Sequence, residues 1–546
     1  MKALHLLSRC FLLTLLLGAG RLALAQDPKP DKPSPREAGA ARPTAAAALT
    51  AAAVFRTSPF DPPEASDISF FTDVAPRLDT GCTFRSGGPL VYQIEIKRFL
   101  GELNPDGTLK DAAALVAAGL LSPTVKLIMP GFDVDSDAAP PGVAPEFDRV
   151  SFNGEPVGFL AGHDNQWVLN SFEIPVGKVK FADAGANGGE PVGGVNEIRI
   201  DIDTANTIEA WCTSVDWGSA SFKAASPIIL IHGNASDSGF FTRMGFTAAL
   251  ENSKLVYKAV DMETKSRLGN AHDLSLLIPV AARSLGVKNV HLVTHSKGGL
   301  DAREYLARYY RFQRQWVNVL SLTTLSGPHD GSIGANLRIA RAIAANRAGK
   351  IKFVGFPQYT AELAKTMKPD EATPSLTTNV AALFNPRNVP RLYGLGITYN
   401  TVGADADLNG NLKIDRDPDE FAAMRAESEE LTKNYRWFPE TVRRYVDAMY
   451  QIVRHTPSLS VTYRPRFLRS PVATISNVYP SPDRKNDLMV PIDSAHGRGG
   501  FYRLVTNSHT FESWDGRNHA DVANEKVGYI VIPWILDAER KKGGLR

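Results

Sequence analysis

The stretch "KNVHLVTHSKGGLDAREYLARYY", Lys288–Tyr310, decides the fold. Apolar residues lead to Ser296, two glycines follow, and a helix-like run begins, so the pattern predicts a strand, a sharp turn and a helix. In such a turn the serine hydroxyl either caps the helix or is exposed as a nucleophile. Gly298 is the small residue that the bend needs after the serine, whereas Thr294 replaces the usual glycine before it.

The sequence around this stretch predicts two domains. From about residue 223, short apolar runs such as "PIILIHG" and "VHLVTHS" alternate with helix-like segments, which indicates a doubly wound, mostly parallel α/β sheet over residues 223–546. Residues 66–222 alternate apolar and polar positions between turn signals, which predicts an antiparallel β-sandwich domain.

The N-terminus is typical of an exported protein. Lys2 and Arg9 lead into an apolar run that ends in an A-x-A motif at Ala25, so residues 1–25 are predicted to be a cleaved signal peptide. The alternative is a membrane anchor, but the run is too short to span a bilayer and Arg21 interrupts it. We therefore expect a secreted or periplasmic protein without a transmembrane segment after cleavage.

The remaining chain has no charge excess. Residues 1–25 hold three of the 61 basic residues and none of the 58 acidic ones, so the rest is formally neutral and a nucleic-acid partner is not expected. Residues 26–65 are rich in proline and alanine, which predicts a disordered linker. Cys82 and Cys212 would most simply form one disulfide in an exported protein, and the alternative is two free buried thiols.

Acyl transfer at Ser296 would need two N–H donors directed at the developing oxyanion. One is expected to be the backbone of the next residue, Lys297. The other should come from a loop after an earlier strand, and the apolar run that ends in His232-Gly233-Asn234 is such a strand. The backbone N–H of Asn234 is therefore the second candidate donor.

Three segments in this order, "ILIHGN", "THSKGG" and "LSGPHDGS", resemble the bacterial lipase and esterase branch of the α/β-hydrolase fold. The resemblance covers residues 226–330 and 470–540. It implies an α/β-hydrolase catalytic domain that cleaves carboxylic esters, with the acid in an "ND-x-x-VP"-like turn and the base in an "NH-x-D"-like turn. The turns "NDLMVP" and "NHAD" of this sequence match those patterns.

These turns carry Asp487 and His519, both after Ser296, as the chain order of the fold requires. Asp487 follows the apolar run "PVATISNVY", which predicts a position near the end of a strand. The competing acids are Asp483 and Asp493. The competing bases are His455, His496 and His509, and His519 is preferred because it precedes a final apolar helix.

Residues 332–470 form an insertion that in this fold would cap the active site; the alternative is a decoration without substrate contact. Within it, Asp405, Asp407, Asn409 and Asn411 resemble the start of an EF-hand loop, with Asp415, or else Asp417 or Asp419, as a further ligand. Arg416 occupies the position of the closing carboxylate and cannot bind a metal. A structural Ca²⁺ is therefore one expectation, and an acidic solvated turn is the other; no cofactor is expected for catalysis.

These patterns predict a secreted serine hydrolase whose substrate is a lipid or polyester ester. The first alternative is an amidase, or a polysaccharide or polymer deacylase, of the same fold. The second is a non-catalytic surface protein that binds carbohydrate or polymer through sandwich tryptophans, for which the candidates are Trp167, Trp211 and Trp217. A non-catalytic relic would have no reason to keep all three triad residue types in order, which favours the enzyme.

Overall fold

Antiparallel sheets precede a single parallel sheet along the chain. The computed structural model describes residues 58–63, 69–73, 82–137, 139–332, 334–336, 370–407, 409–411, 450, 461–463, 473–475, 485–511 and 519–542. The strands are β1 Ser69–Asp73, β2 Thr83–Phe84, β3 Leu90–Glu95, β4 Thr124–Phe132, β5 Arg149–Phe152, β6 Glu155–Phe159, β7 Trp167–Pro175, β8 Ala182–Asp183, β9 Val192–Gly193, β10 Val195–Asp201, β11 Cys212–Val215, β12 Trp217–Ser221, β13 Ile228–Ile231, β14 Tyr257–Val260, β15 Asn289–His295, β16 Asn318–Leu325, β17 Thr398–Ala404, β18 Val461–Tyr463, β19 Ala473–Ile475 and β20 Val505–Phe511. The α-helices are α1 Ala112–Ala117, α2 Phe240–Arg243, α3 Phe246–Asn252, α4 Arg267–Ser284, α5 Lys297–Arg308, α6 Thr378–Leu392, α7 Ile492–Ala495 and α8 Glu525–Lys541. The predicted signal peptide, most of the predicted linker, and Asp415 lie outside these residues.

The parallel sheet has the order β14-β13-β15-β16-β17-β20, and each of its pairs is parallel. Alternate residues of β13 face opposite sides, as the two-residue period of a strand requires. Ile228 and Leu230 pack in a cluster with α3 and α8, whereas Ile229 and Ile231 pack in another with α4 and α5. Helices therefore cover both faces of the sheet, and every residue of β13 is buried.

Two larger antiparallel sheets and the short antiparallel pair β8–β9 precede it among the described residues. One has the order β1-β12-β4-β11-β2, with β7 also paired to β4, and the other has the order β3-β10-β5-β6. Buried and exposed residues alternate along β3, and the Tyr92 hydroxyl lies 3.4 Å from the sulfur of Met129 in the other sheet. We call residues 82–221 the β region. Its apolar side chains belong to the same cluster as Ile228 and Leu230, so it shares a core with the parallel sheet, and the boundary at residue 222 stays a prediction.

The β region contains a disulfide between Cys82 and Cys212, whose Cα atoms are 5.3 Å apart. The predicted pairing is thus present in the structure. It joins β2, near the start of the β region, to β11, near its end. Among the described residues, no helix is both long and apolar enough to cross a membrane.

Part of the predicted cap is a strand of the main sheet. β17 lies between β16 and β20, although its residues fall within the stretch 332–470. Its pattern was not recognisable as a buried strand because Asn400 and Thr401, both fully buried, are polar. Their side chains hydrogen-bond to Thr323 Oγ1 at 3.1 Å and His496 Nδ1 at 2.9 Å. The insertion is predicted to be helical, because residues 337–349 and 441–455 have the apolar spacing of amphipathic helices. These two stretches lie almost entirely outside the described residues.

A buried carboxylate attaches the C-terminal helix to the central strands. Glu539 of α8 accepts hydrogen bonds from His291 Nε2 of β15 at 2.8 Å and from the Ser226 hydroxyl at 2.8 Å. Burial raises the pKa of Glu539, but the contacts with His291 and Ser226 outweigh it and hold the pKa below its ordinary value of 4.5. The charged form of Glu539 therefore stabilises the fold.

We expect Glu539→Gln to lower the free energy of unfolding by about 3 kcal/mol at pH 7, because a buried pair loses its charged partner. A depressed native pKa contributes stability that is fully present above the unfolded pKa and is lost as the pH falls through the native pKa. The difference from wild type should therefore shrink below about pH 4.5. Urea unfolding across pH measures it, with the exposed Glu263→Gln as control; a pH-independent difference would contradict this assignment.

Candidate active site

Ser296 lies at the turn between β15, which ends at His295, and α5, which begins at Lys297. Its backbone has φ 52° and ψ −125°, a region that non-glycine residues rarely adopt. The backbone N–H of Ser296 donates to the carbonyl of Leu325 in β16 at 2.9 Å. The strained residue is therefore held directly by the neighbouring strand.

Two glycines make room for this turn. A Cβ on Gly298 would lie 2.6 Å from the His232 carbonyl oxygen and 2.8 Å from that of Ile231, so no side chain fits there. A Cβ on Gly299 would lie 3.3 Å from Thr294 Oγ1 and 3.1 Å from a methyl group of Thr324. The unusual Thr294 is therefore accommodated because Gly299 leaves space beside it, and its hydroxyl reaches the Thr323 carbonyl at 3.4 Å.

The His-Gly loop lies against the serine. Because β13 pairs in parallel with β15, with Ile231 opposite Thr294, both strands end at the same edge of the sheet. A Cβ on Gly233 would lie 2.8 Å from Ser296 Cβ. The next residue, Asn234, uses its side-chain amide to donate to Asp370 at 2.7 Å, and its backbone N–H makes no hydrogen bond among the described residues. Nothing in the sequence indicated the contact with Asp370.

Lys297 begins α5, so its backbone N–H has no acceptor within the helix. Its side chain is buried and donates to both carboxylate oxygens of Asp301, at 2.8 and 2.7 Å. Asn270 of α4 also donates to Asp301, at 3.0 Å. Burial raises the pKa of Asp301 to about 6, against the attraction of Lys297. The spacing of four residues could have indicated this ion pair, which fixes the first turn of α5.

Asp487, His519 and Ser296 are linked by two hydrogen bonds. His519 Nε2 lies 2.8 Å from Ser296 Oγ, and Nδ1 lies 2.8 Å from Asp487 Oδ2. The other oxygen of Asp487 accepts the backbone N–H groups of Met489 and Val490 at 3.0 and 2.7 Å. Burial raises the pKa of Asp487, but His519 and the hydrogen bonds outweigh it, so the pKa lies below its ordinary value. A neutral His519 can thus accept the serine proton and donate to a carboxylate.

The sequence predicted that Asp487 lies near the end of a strand. The described strand before Asp487 does not belong to the parallel sheet. The described part of the run that precedes it is β19, which pairs with β18 in a two-stranded sheet. The turn of Asp487 instead attaches to the chain after β17, where Ala406 N–H donates to the Asn486 carbonyl at 2.9 Å. The acid therefore reaches the edge of the sheet through a strand that the sequence did not reveal.

The described competitors have other partners. Asp493 forms an ion pair with Arg498 at 2.8 Å. His496 bonds to the hydroxyls of Thr401 and Thr510, at 2.9 and 2.7 Å. His509 lies in β20. Asp483 and His455 fall outside the described residues.

His295 contacts the base from beside the nucleophile. Its Nε2–H donates to the backbone carbonyl of His519 at 2.7 Å, and its ring stacks on Phe240 with centroids 4.4 Å apart. Burial lowers the pKa of His295 to about 3, so the ring is neutral. The sequence places His295 beside the nucleophile but does not identify this partner.

The described part of the calcium-like loop bonds within itself. Asp405 accepts the Tyr450 hydroxyl at 3.1 Å and the Asp407 N–H at 3.2 Å, and Asp407 accepts the Gly410 N–H at 2.9 Å. Asn409 accepts the N–H of Asn411 at 3.0 Å. Calcium binding by this loop stays a prediction.

The tryptophans named for carbohydrate binding do not form an exposed platform. Trp217 is buried, and its indole N–H donates to the Phe60 carbonyl at 2.9 Å. Trp211 is half-buried and donates to the Ala144 carbonyl at 2.9 Å, and the half-buried Trp167 packs on Phe132. These contacts do not support a carbohydrate site on these tryptophans.

No protein-family model matches the chain, and no curated protein matches it. Solved structures resemble part of it. The mature lipase BlEst2 of Bacillus licheniformis is 16% identical, with 57% of this chain and 92% of that chain covered and a TM-score of 0.35. The metagenomic carboxyl esterase MGS0156 is 14% identical, with 57% and 76% covered and a TM-score of 0.29. TM-scores below 0.5 mark distant likenesses, so the chemistry must be argued from this chain's own residues.

Gly298→Ala should destabilise the protein by about 2 kcal/mol, because the new methyl group would press on the carbonyls of Ile231 and His232. Glycine to alanine inside a helix ordinarily stabilises by up to about 1 kcal/mol, so a loss would be diagnostic. Chemical unfolding of both proteins measures it. Gly177→Ala is the matched control, since its Cβ would have no atom within 4 Å; equal effects of the two substitutions would contradict the close approach.

Proposed function

We propose that this protein is a serine hydrolase of the α/β-hydrolase fold that cleaves carboxylic ester bonds. The observation that carries the proposal is the hydrogen-bonded chain Ser296–His519–Asp487, with both links at 2.8 Å. The strained turn at the end of a strand in an all-parallel sheet supports the fold assignment.

In the proposed reaction Ser296 Oγ attacks the carbonyl carbon of the ester while His519 Nε2 accepts its proton. Asp487, held by two backbone N–H groups, fixes the ring of His519 and stabilises the imidazolium that forms. His519 then protonates the leaving alcohol, which leaves an acyl-enzyme. Water activated by His519 hydrolyses the acyl-enzyme and restores the serine.

The oxyanion would be held by the backbone N–H groups of Lys297 and Asn234. The side chains of both residues are fixed by polar contacts, which supports this assignment. Lys297 forms a buried ion pair with Asp301, and Asn234 donates a hydrogen bond to Asp370. His232 adds to this order: its Nδ1–H donates to the Gly233 carbonyl at 2.8 Å, and its Nε2 accepts the N–H of Met262 at 3.0 Å.

For the substrate we propose an uncharged lipid or polyester ester. The formal neutrality of residues 26–546 favours it. An amide or an acylated polymer could react by the same steps, and direct comparison of substrates separates these cases. Export by the N-terminal segment is part of the proposal, and the Cys82–Cys212 disulfide is compatible with it.

Ser296→Ala should reduce turnover of p-nitrophenyl esters by about 10⁶-fold while the melting temperature changes little, because only the nucleophilic oxygen is removed. Assays over short and long acyl chains, beside the matched p-nitroanilides, give the acyl preference and distinguish ester from amide hydrolysis. The exposed Ser86→Ala serves as control. Activity retained in Ser296→Ala would refute the proposal.

His295 should act as a positioning residue through the His519 carbonyl. His295→Leu removes that hydrogen bond, and we expect kcat to fall about tenfold with KM unchanged. His295→Gln keeps an N–H donor and should recover part of the loss. The exposed His272→Leu is the control; an equal loss in the Leu and Gln variants would point to packing alone.

A further inference from the structure

One end of the β region gathers acidic loops. Asp133 and Asp135 follow β4, and Asp164 precedes β7. Because Phe132 at the end of β4 pairs with Trp167 at the start of β7, these loops leave the sheet side by side. The Cys82–Cys212 disulfide lies at the same end, with both sulfurs within 4 Å of an Asp133 oxygen.

The carboxylates of Asp133, Asp135 and Asp164 can share one ion. Each offers an oxygen atom, and these three oxygens lie within 4.8 Å of one another. Calcium–oxygen distances are about 2.3–2.6 Å, so two ligands of one ion are at most about 5 Å apart. The separation therefore fits a single Ca²⁺ among them.

Asp135 is the strongest indication of a cation site, because its carboxylate is buried without a hydrogen-bond donor or a basic partner among the described residues. Its side chain is only 7% exposed. Among the described residues its carboxylate accepts no hydrogen bond and faces no Lys, Arg or His within ion-pair distance. An unpaired buried carboxylate is strongly unfavourable unless a cation or a proton neutralises it. The oxygen that would bind the cation is directed at Asp133 and Asp164, which are also acidic.

More buried acids lie behind Asp135. Glu146, Asp148 and Asp203 are fully buried, and one oxygen of each has no hydrogen-bond partner in the described structure. Their other oxygens are fixed: Glu146 accepts the Asp135 N–H and Asp148 accepts the Asp203 N–H, both at 2.8 Å. No described basic residue forms an ion pair with any of the three. The acids are therefore held in place without a basic partner among the described residues.

The three carboxylates offer only oxygen ligands. The two cysteines near Asp133 are joined in the disulfide and cannot act as thiolates. A site made of carboxylates alone favours a hard cation over zinc or copper. We propose that Asp133, Asp135 and Asp164 bind a Ca²⁺ ion, which connects the loop after β4 to the loop before β7. This site is separate from the calcium-like loop at Asp405–Asn411.

The test is Ca²⁺ titration of the full chain by calorimetry after EDTA treatment, with thermal unfolding in EDTA and in 1 mM Ca²⁺. Wild type should bind Ca²⁺ and unfold several degrees higher in its presence. Asp133→Asn combined with Asp135→Asn should bind one ion fewer and lose that shift. Asp164→Asn, in an exposed loop where folding is not at risk, should weaken binding at least about tenfold.

The EDTA measurements separate metal binding from a structural role. Without metal, Asp135→Asn should be at least as stable as wild type, because it removes an unpaired buried charge; in Ca²⁺ the order should reverse. Asn409→Ala combined with Asn411→Ala, which alters the other loop, should leave this site and its shift intact. An equal Ca²⁺ response in wild type and the Asp133/Asp135 variant would overturn the proposal. The proposal would also be overturned if wild type showed no Ca²⁺ response and its stability rose from pH 7 to pH 5, because protons would then neutralise these acids.

Discussion

The parallel pairing of β13 with β15 is the constraint on which the candidate site depends. With Ile231 opposite Thr294, the His-Gly loop and the serine turn must leave the sheet next to each other. Their backbones approach so closely that a methyl group on Gly298 would lie 2.6 Å from the His232 carbonyl. The sheet, rather than any side chain, therefore holds Ser296 at its positive φ, and the hydrogen bond to Leu325 adds the third strand. A rigid sheet edge suits a site that must keep a hydroxyl fixed.

The base is attached to the sheet in part through α8. His519 lies shortly before this helix, and Glu539 near the other end bonds to His291, five residues before Ser296. At the near end His295 donates to the His519 carbonyl. β15, which leads to Ser296, thus contacts the segment 519–539 at both ends of that segment: His295 contacts His519, and His291 contacts Glu539. The distance from His519 to Ser296 depends on these two polar contacts as well as on apolar packing.

The apolar runs and short motifs of the sequence were enough to predict the central strands of the parallel sheet and the residues of the candidate triad. β13, β15 and β16 are continuous buried runs, and their order identified the parallel sheet. β17 was not predicted because its buried residues Asn400 and Thr401 are polar. Their hydrogen-bond partners, Thr323 and His496, lie on other elements, so no local sequence pattern indicates them. The motif indicated Asp487 as the acid, but not that its turn attaches to the chain after β17, because that contact also joins residues distant in sequence. Thr294 needed the space beside Gly299, a contact between side chains that only the folded chain defines.

Buried acids of the two regions differ in their partners. Around the parallel sheet Asp301, Asp487 and Glu539 each face a lysine or a histidine of the same chain. In the β region Asp135, Glu146 and Asp148 face no described basic residue, and burial raises the pKa of Glu146 well above its ordinary value. Pairing within the chain makes stability depend on sequence alone, whereas unpaired acids make it depend on protons or cations from solution. Because both regions share one hydrophobic core, and Phe99 of the β region donates to the Leu285 carbonyl beside α4, the solution conditions that stabilise the β region also bear on the sheet that holds Ser296.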